Sequence, residues 1–174
     1  MLNALRRSKV RQSPAARLYA ALVARARDPV FFARFGVKDS LDGRFDLVAL
    51  HAWLVLDRLT GADPSVSQAL VDEIFAAFDA ALRELGAGDI GMGKRIKKLA
   101  NAFYGRLQAY SGAADEAAME AALVHNLYRG ALAPGAKAVA RYALRAKAHL
   151  QACEVEAGAI DFGPLPDEEA ADER

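Results

Sequence analysis

The sequence predicts an all-α protein, a single-domain bundle of about six to seven helices. Apolar residues recur at helical spacing, and they lie between frequent helix start and stop signals. Alanine, the strongest helix former, contributes much of the 53% hydrophobic content. No segment keeps the alternating pattern of a half-buried β-strand, and no repeat or linker divides the chain. These observations favour one helical core.

The two chain ends differ in composition from this predicted domain, which spans residues 13–157. Residues 1–12 form a basic arm, and residues 158–174 form an acidic tail, rich in proline and glycine, that we expect to be disordered. Before Asp28 every charge is positive, and from Glu154 onward nearly every charge is negative, although the net charge is only +1. This polarity is typical of solvated ends or of ends with different partners.

Each predicted helix begins or ends at a recognisable signal. A capping residue followed by proline marks three starts, at Ser13-Pro14, Asp28-Pro29 and Asp63-Pro64. Glycines mark the stops, at Gly36, Gly61, Gly86 and Gly130. The predicted helices cover residues 14–27, 30–35, 44–60, 64–85, 94–110, 115–129 and, after Pro134, a segment to about residue 157. Residues 37–43 are predicted to form a loop, in which Asp42-Gly43 supplies a turn.

The third predicted helix, residues 44–60, is apolar nearly all round. A helix of this kind is buried in the middle of a bundle, so we expect Trp53 to be buried. His51 lies within the same apolar stretch. It is best interpreted as a hydrogen-bonded residue of the core or of a groove.

The glycine-rich stretch at residues 86–98 matches two nucleotide-binding patterns in part. Gly86, Gly88 and Gly91 have the spacing of a dinucleotide-binding turn, and Gly88, Gly93 and Lys94 that of a P-loop. Both motifs need a preceding strand, whereas residues 69–85 have helical periodicity. The P-loop also needs Ser or Thr where this chain has Arg95. We therefore interpret the stretch as a helix–loop–helix joint and expect no nucleotide.

The helix that follows this joint begins with four basic residues, Lys94, Arg95, Lys97 and Lys98. Acidic residues are favoured at this end of a helix because of the helix dipole. No single face holds all four, but Lys94 can share a face with Lys97 or Lys98. Two interpretations stay open. The residues form either a solvated face, with core packing offsetting the unfavourable interaction of their charges with the helix dipole, or a docking surface for an anionic partner.

The composition is typical of a cytoplasmic protein. A lone cysteine, Cys153, indicates a reducing compartment. The apolar stretch at residues 47–56 is too short to span a bilayer, and residues 1–12 lack the apolar centre of a signal peptide. Attachment at the inner face of the cytoplasmic membrane remains compatible with the basic arm.

Side chains that could carry chemistry are scattered. His51, His125 and His149 lie on three different predicted helices, without a nucleophile or paired carboxylate at useful spacing. His149 and Cys153 are four residues apart and could form half of a metal site, but no second pair completes it. We therefore expect no metal, no cofactor and no enzymatic activity.

Five stretches follow one another in the order found in a known family: residues 31–37 (FFARFGV), 41–47 (LDGRFDL), 91–98 (GMGKRIKK), 102–106 (AFYGR) and 126–130 (NLYRG). Together they resemble the ubiquinol–cytochrome c chaperone family in its short alphaproteobacterial form, over about residues 14–156. Mitochondrial members bind newly made cytochrome b near the ribosome exit, with a small partner protein, and help to assemble the respiratory cytochrome bc complex. The resemblance implies an all-helical, non-catalytic chaperone for an integral membrane client.

Such a chaperone needs an apolar groove and surface charge. The partner-binding residues expected on this basis are the basic residues Lys94, Arg95, Lys97 and Lys98, the aromatic residues Phe31, Phe35, Phe103 and Tyr104, and also Arg106. Further groove candidates are Phe32, Phe45, Trp53 and Tyr110, and we expect at least half of the eight aromatic candidates to be core residues. Arg44 and Arg106 could instead pair with acids of the loop, such as Asp39, Asp42 or Asp46, and fix its position.

The partner implied by the resemblance is nascent or newly inserted cytochrome b. A ribosome, a small helper protein and a transient contact with the membrane surface are left open. One rival interpretation is a nucleic-acid- or ribosome-binding helical module, but the pI is only 7.9 and the basic residues are not interleaved with aromatic ones. The other is a peripheral protein that binds anionic lipid through residues 1–11, whose Leu2, Leu5 and Val10 give little apolar area.

Overall fold

A computed structural model describes residues 13–84, 86, 91–131, 133–153 and 159–166. These residues form seven α-helices and no strand, which confirms the predicted all-α class. The helices are α1 (Pro14–Ala26), α2 (Pro29–Ala33), α3 (Leu41–Leu59), α4 (Pro64–Glu84), α5 (Met92–Ser111), α6 (Glu116–Asn126) and α7 (Ala136–Ala152). The basic arm, residues 1–12, and the last residues of the acidic tail, 167–174, lie outside the described residues.

The predicted capping residues begin three of these helices. The Ser13 hydroxyl accepts a hydrogen bond from the Ala16 N–H at 3.0 Å, at the start of α1. The Asp28 carboxylate accepts one from the Val30 N–H at 3.0 Å. Asp63 does the same for the Val66 N–H at 3.1 Å, before α4. Each cap satisfies a backbone donor that the helix itself cannot, a contribution of about 1 kcal/mol.

The loop before α3 is shorter than predicted, because α3 begins at Leu41 and not at Arg44. Ser40 is the capping residue, and its hydroxyl accepts a hydrogen bond from the Gly43 N–H at 3.1 Å. Gly43 is therefore helical and does not form a turn. A Cβ atom at this position would overlap the backbone carbonyl of Lys38, so the glycine permits a close approach of the loop to the helix.

Helix α7 ends at Ala152, and Cys153 has an extended backbone. The predicted continuation to about residue 157 falls on residues 154–158, which lie outside the described residues. Residues 159–166 are extended and pack against the helices, with Phe162 only 3% exposed. The expectation of disorder from residue 158 is therefore wrong for residues 159–166. Composition did not predict this order because one buried aromatic side chain and two hydrogen bonds, from the side chains of Arg25 and Arg145 to carbonyls of the segment, hold it in place.

Helix α3 lies at the centre of the core, as its sequence predicts. It packs against α1, α5 and α7, and to a smaller extent against α4, while α6 packs against α7. Leu47, Leu50 and Leu54 are at most 1% exposed. Trp53 is 2% exposed, and its indole N–H donates to the Ser111 hydroxyl at 3.0 Å, so its predicted burial is confirmed.

His51 is a fully buried residue of this core, and both of its ring nitrogens have partners. Nδ1 lies 2.8 Å from the Leu47 carbonyl oxygen and Nε2 lies 2.8 Å from the Tyr142 hydroxyl. A carbonyl can only accept, so Nδ1–H donates and Nε2 accepts from Tyr142. Burial lowers the pKa of His51 to about 4, which keeps the ring neutral.

Candidate functional site

The candidate site is the helical hairpin formed by the second half of α4, residues 75–84, and the first part of α5, residues 92–104. Helix α4 is buried only at Leu70 and Ile74, so no residue of its second half is buried. In α5 the buried residues are Met92, Phe103 and Tyr110. The two helices meet through Phe75 and Phe78 of α4, whose rings contact Phe103 of α5. This part of the bundle is therefore more open than the α3 core.

An aromatic cluster joins the hairpin to the core. The Phe103 ring lies 5.6 Å from Phe75 and 6.2 Å from Phe78, in edge-to-face geometry. Phe78 also contacts Phe45 of α3 at 5.2 Å. Tyr104 stacks on Phe75 at 6.1 Å and is 51% exposed. The cluster thus presents one aromatic face to solvent, at Tyr104.

The four basic residues at the start of α5, Lys94, Arg95, Lys97 and Lys98, are all exposed. Helix α5 has no acidic residue in its first turn, and Gly91 precedes it at a φ of 94° without a side-chain cap. None of the four makes an ion pair with another described residue. Four unpaired positive charges thus lie beside uncapped backbone donors, an arrangement that the helix dipole opposes.

Three of the expected groove residues, Phe31, Phe35 and Phe103, are buried core residues. Their side chains are 0%, 3% and 0% exposed. Phe31 packs against the rings of His51 and Tyr142, with centroids 5.5 Å away in each case. These three side chains are therefore core residues, as expected for at least half of the aromatic candidates, and they do not line an open groove in this structure. Tyr104 alone of the four aromatic candidates has an exposed side chain.

Arg106 is bound to the core and not presented to solvent. Its guanidinium lies 2.7 Å from the carboxylate of Asp46, which is fully buried, and it also donates to the Ala102 carbonyl at 2.9 Å. The same guanidinium lies over the Phe45 ring at 5.1 Å. The expected pairing with Asp46 is confirmed, although Asp46 belongs to α3 and not to the loop. This pairing attaches α5 to α3 and leaves little of Arg106 for a partner.

Arg129 completes the same charge cluster from the chain segment after α6. Its guanidinium lies 3.0 Å from the second oxygen of Asp46 and 3.5 Å from the exposed Asp42. Burial raises the pKa of the Asp46 carboxyl, whereas the two guanidinium groups lower it. The sequence offered no direct signal for Arg129, because its acid partner is 83 residues away.

A shallow cleft of about 590 Å³ lies on another surface, between α1, α2 and the start of α3. Its lining residues are Arg27, Pro29, Phe32, Ala33, Asp39 and Arg44. Arg44 pairs with Asp39 at 2.7 Å, as expected, and both side chains are more than half exposed. The pair fixes the loop before α3, and half-buried Phe32 is the aromatic side chain in the cleft.

The described residues contain no group of three His, Cys, Asp or Glu side chains placed to hold a metal ion. The Cys153 sulfur lies 3.6 Å from His149 Nε2, which also lies 3.2 Å from the Asp161 carboxylate. The nucleotide motifs lack their required context, because α4 and not a strand precedes Gly86. Gly88 of those motifs lies outside the described residues. Among the described residues, no helix is both long and apolar enough to cross a bilayer.

The chain is therefore an all-helical protein whose most distinctive surface is a hairpin with basic charge and one exposed aromatic side chain. A family model described as Ubiquinol-cytochrome C chaperone matches residues 33–158, and the chain belongs to that family. It is similar to the crystal structure of the Cbp3 homolog from Brucella abortus, with 38% sequence identity and a TM-score of 0.77. That match covers 86% of this chain and 90% of the other. No curated protein matches the chain significantly.

Proposed function

We propose that this chain is a non-catalytic assembly chaperone that binds cytochrome b during biogenesis of ubiquinol–cytochrome c reductase. The observation that carries the proposal is family membership over residues 33–158. A 38% identical structure of the Cbp3 homolog, matched over 86% of this chain, supports it. The proposed client is nascent or newly inserted cytochrome b, held by contacts alone.

The α4–α5 hairpin is the contact surface that the geometry favours for this client. Lys97 and Tyr104 are seven residues apart, so they lie on the same side of α5. Basic charge and an exposed aromatic ring therefore occur side by side on an otherwise accessible helix. An unfinished membrane protein offers apolar segments joined by charged loops, and anionic headgroups surround it. This surface complements both.

The same charges support transient attachment of the chain to the inner face of the cytoplasmic membrane. Each basic residue near an anionic surface contributes about 1 kcal/mol, and this attraction falls off within a Debye length. Co-sedimentation with vesicles of phosphatidylglycerol at 50 mM salt, lost at 500 mM salt and absent with phosphatidylcholine, is the expected result. Binding that does not depend on the charge of the vesicle or on the salt concentration would contradict membrane attachment through these residues.

The function itself is tested in the cell of origin, with the gene removed and then restored. We expect assembled cytochrome b, measured from its haem absorbance in membranes, to fall without the chain and to recover with it. Cytochrome b should also co-purify with a tagged chain from detergent-solubilised membranes, together with any ribosome or helper protein that takes part. Another haem-containing membrane complex serves as control. Normal cytochrome b in the deletion strain would overturn the proposal.

A further inference from the structure

The extended segment after α7, which we call the strap (residues 159–166), fills a groove formed by α1, α3 and α7. Phe162 enters this groove and is 3% exposed. Its ring meets the edge of the buried His51 ring at 5.4 Å, and the guanidinium of Arg25 lies 5.7 Å from its centroid. The groove therefore has an apolar slot for one aromatic ring, with a cation at its rim.

Three polar contacts hold the strap on either side of this slot. Arg25 Nη2 donates to the Gly163 carbonyl at 2.8 Å, and Arg145 Nη2 donates to the Leu165 carbonyl at 2.9 Å. His149 Nε2 lies 3.2 Å from the Asp161 carboxylate. Two of the contacts read only peptide carbonyls, which any extended chain supplies. The third contact, from His149, and the slot for Phe162 together select an acid followed directly by an aromatic residue, which resembles the way domains bind extended peptides.

The strap is also separate from the part of the chain that defines the family. The family match ends at residue 158, one residue before the strap begins. Phe162 and Pro166 are the buried residues of the strap, and the others are exposed or half-buried. The groove walls come from α1, which also lies outside the family match, and from α3 and α7, which lie within it. Helices α1 and α7 pack on α3 through contacts that do not involve the strap. We therefore expect the groove to keep its shape when the strap dissociates from it.

We propose that this groove is a binding site for an extended peptide that carries an acidic residue followed by an aromatic one, and that the strap occupies it in cis. A segment with the same chemistry binds in trans once the strap leaves. The ligand is defined by this chemistry, an extended peptide with an acid followed by an aromatic residue, and the site does not rest on the proposed function above.

The test uses a fluorescein-labelled peptide with the strap sequence AIDFGPLP and measures its anisotropy with the full-length chain. A strap tethered to its own groove competes at an effective concentration in the millimolar range, so the peptide should bind the parent chain weakly. In the Phe162→Ala variant the tethered strap loses its anchor, and the peptide should bind at least tenfold more tightly. A peptide with alanine in place of phenylalanine is the matched control and should not bind.

A second variant loosens the strap and keeps its aromatic ring. Gly163 has a φ of 71°, and an added Cβ would lie 3.2 Å from Cγ of His149, so Gly163→Ala strains the strap while leaving Phe162 in place. Peptide binding should again tighten, and Arg25→Gln added to either variant should abolish it. If neither variant binds the peptide although circular dichroism shows both folded, or if binding is equal in the parent and independent of Arg25, the proposal is overturned. None of these measurements involves cytochrome b, so they can fail or succeed independently of the proposed chaperone function.

Discussion

At the scale of single residues, Asp46 explains why two arginines are fixed in place. Its buried carboxylate would carry a large desolvation cost without counter-charges, and Arg106 and Arg129 supply them from two separate parts of the chain. Arg129 has a φ of 56°, an uncommon value for a residue other than glycine. In this conformation its guanidinium lies within ion-pair distance of both Asp46 and Asp42. The cluster therefore holds α5 and the end of α6 on α3.

Trp53 should be one of the most sensitive core positions. Its side chain is buried, packs against Tyr110 at 5.8 Å, and lies under the Lys147 ammonium at 5.3 Å. Replacing Trp53 with alanine would open a cavity and leave the Ser111 hydroxyl without this donor, so we expect a loss of about 3–5 kcal/mol in the free energy of unfolding. Urea denaturation monitored by circular dichroism measures it. Trp53→Phe, which keeps much of the packing, is the control and should lose less; an unchanged midpoint in Trp53→Ala would contradict this account of the core.

His51 should make folding stability depend on pH. Its pKa is lowered to about 4 in the folded protein from 6.5, because burial disfavours the charged ring. As the pH falls, His51 is therefore protonated in the unfolded chain before it is protonated in the folded protein. Its contribution to the free energy of unfolding is complete above pH 6.5 and is lost as the pH falls toward 4. The total is about 3 kcal/mol, at about 1.4 kcal/mol per pKa unit. Urea denaturation at several pH values should show a flatter dependence between pH 4 and 6.5 for His51→Gln than for the parent.

Exposed His125 provides the control for that comparison. The same substitution there keeps the Leu47–His51–Tyr142 contacts, so the pH dependence should match that of the parent. If His51→Gln and His125→Gln gave the same slope, the buried imidazole would not be the group that titrates.

At the scale of elements, the two halves of α5 differ in their surroundings. Its second half anchors the helix through Phe103, Arg106 and Tyr110, which meet α3 and α4. Its first half carries Lys94 and Lys97 on a surface without ion pairs to other described residues. Stability therefore depends on the second half, and the charges of the first half are free to serve association.

This separation predicts that the basic residues can be replaced without loss of stability. Changing Lys94, Arg95, Lys97 and Lys98 together to glutamine removes charges that oppose the helix dipole, so the melting temperature should stay equal or rise. Assembled cytochrome b should nevertheless fall in cells that carry the variant as the only copy. Binding to client or membrane should also become less sensitive to salt, because the lost contacts are screened Coulomb interactions.

A matched pair of variants separates the position of the charges from their number. Lys94 and Lys98 are changed to glutamine in one variant, and the exposed residues Arg27 and Lys38 in the other, so both lose the same net charge. Only the first should lower cytochrome b. Normal cytochrome b in the fourfold variant would identify the start of α5 as a solvated face.

At the scale of the whole molecule, stability should be distributed unevenly between the α3 core and the α4–α5 hairpin. Helix α3 is surrounded by α1, α5 and α7, whereas residues 75–84 and 92–102 contain one buried residue, Met92. Elements with few buried contacts unfold locally at a lower cost in free energy, so their amide hydrogens exchange sooner. Hydrogen exchange followed by mass spectrometry should therefore show exchange in the hairpin well before exchange in α3. Equal protection of the two would contradict a hairpin that is available to a client.

Part of the candidate site was accessible to sequence reasoning, and part was not. The four basic residues could be named as candidates because their position against the helix dipole is a local feature of the sequence, and their role in binding stays a prediction. The sequence left open which aromatic candidates are core residues, as Phe31, Phe35 and Phe103 are, because aromatic residues look alike in sequence whether a neighbouring helix covers them or not. The strap was missed because a segment rich in proline, glycine and acid has no periodicity, while its order depends on Phe162 and on distant arginines.

By itself the sequence determined the helices, their capping residues and the central place of α3. These features depend on interactions within about four residues and on a periodicity that any window of the chain reveals. Only the tertiary structure decided that Arg106 forms an ion pair with Asp46, that His51 is hydrogen-bonded to Tyr142, and that Phe162 fills a groove. The first two contacts join residues 60 and 91 positions apart, and the third sets Phe162 against His51 of the distant α3. Which side chains meet over such separations is fixed by how the helices pack, and no local pattern encodes it.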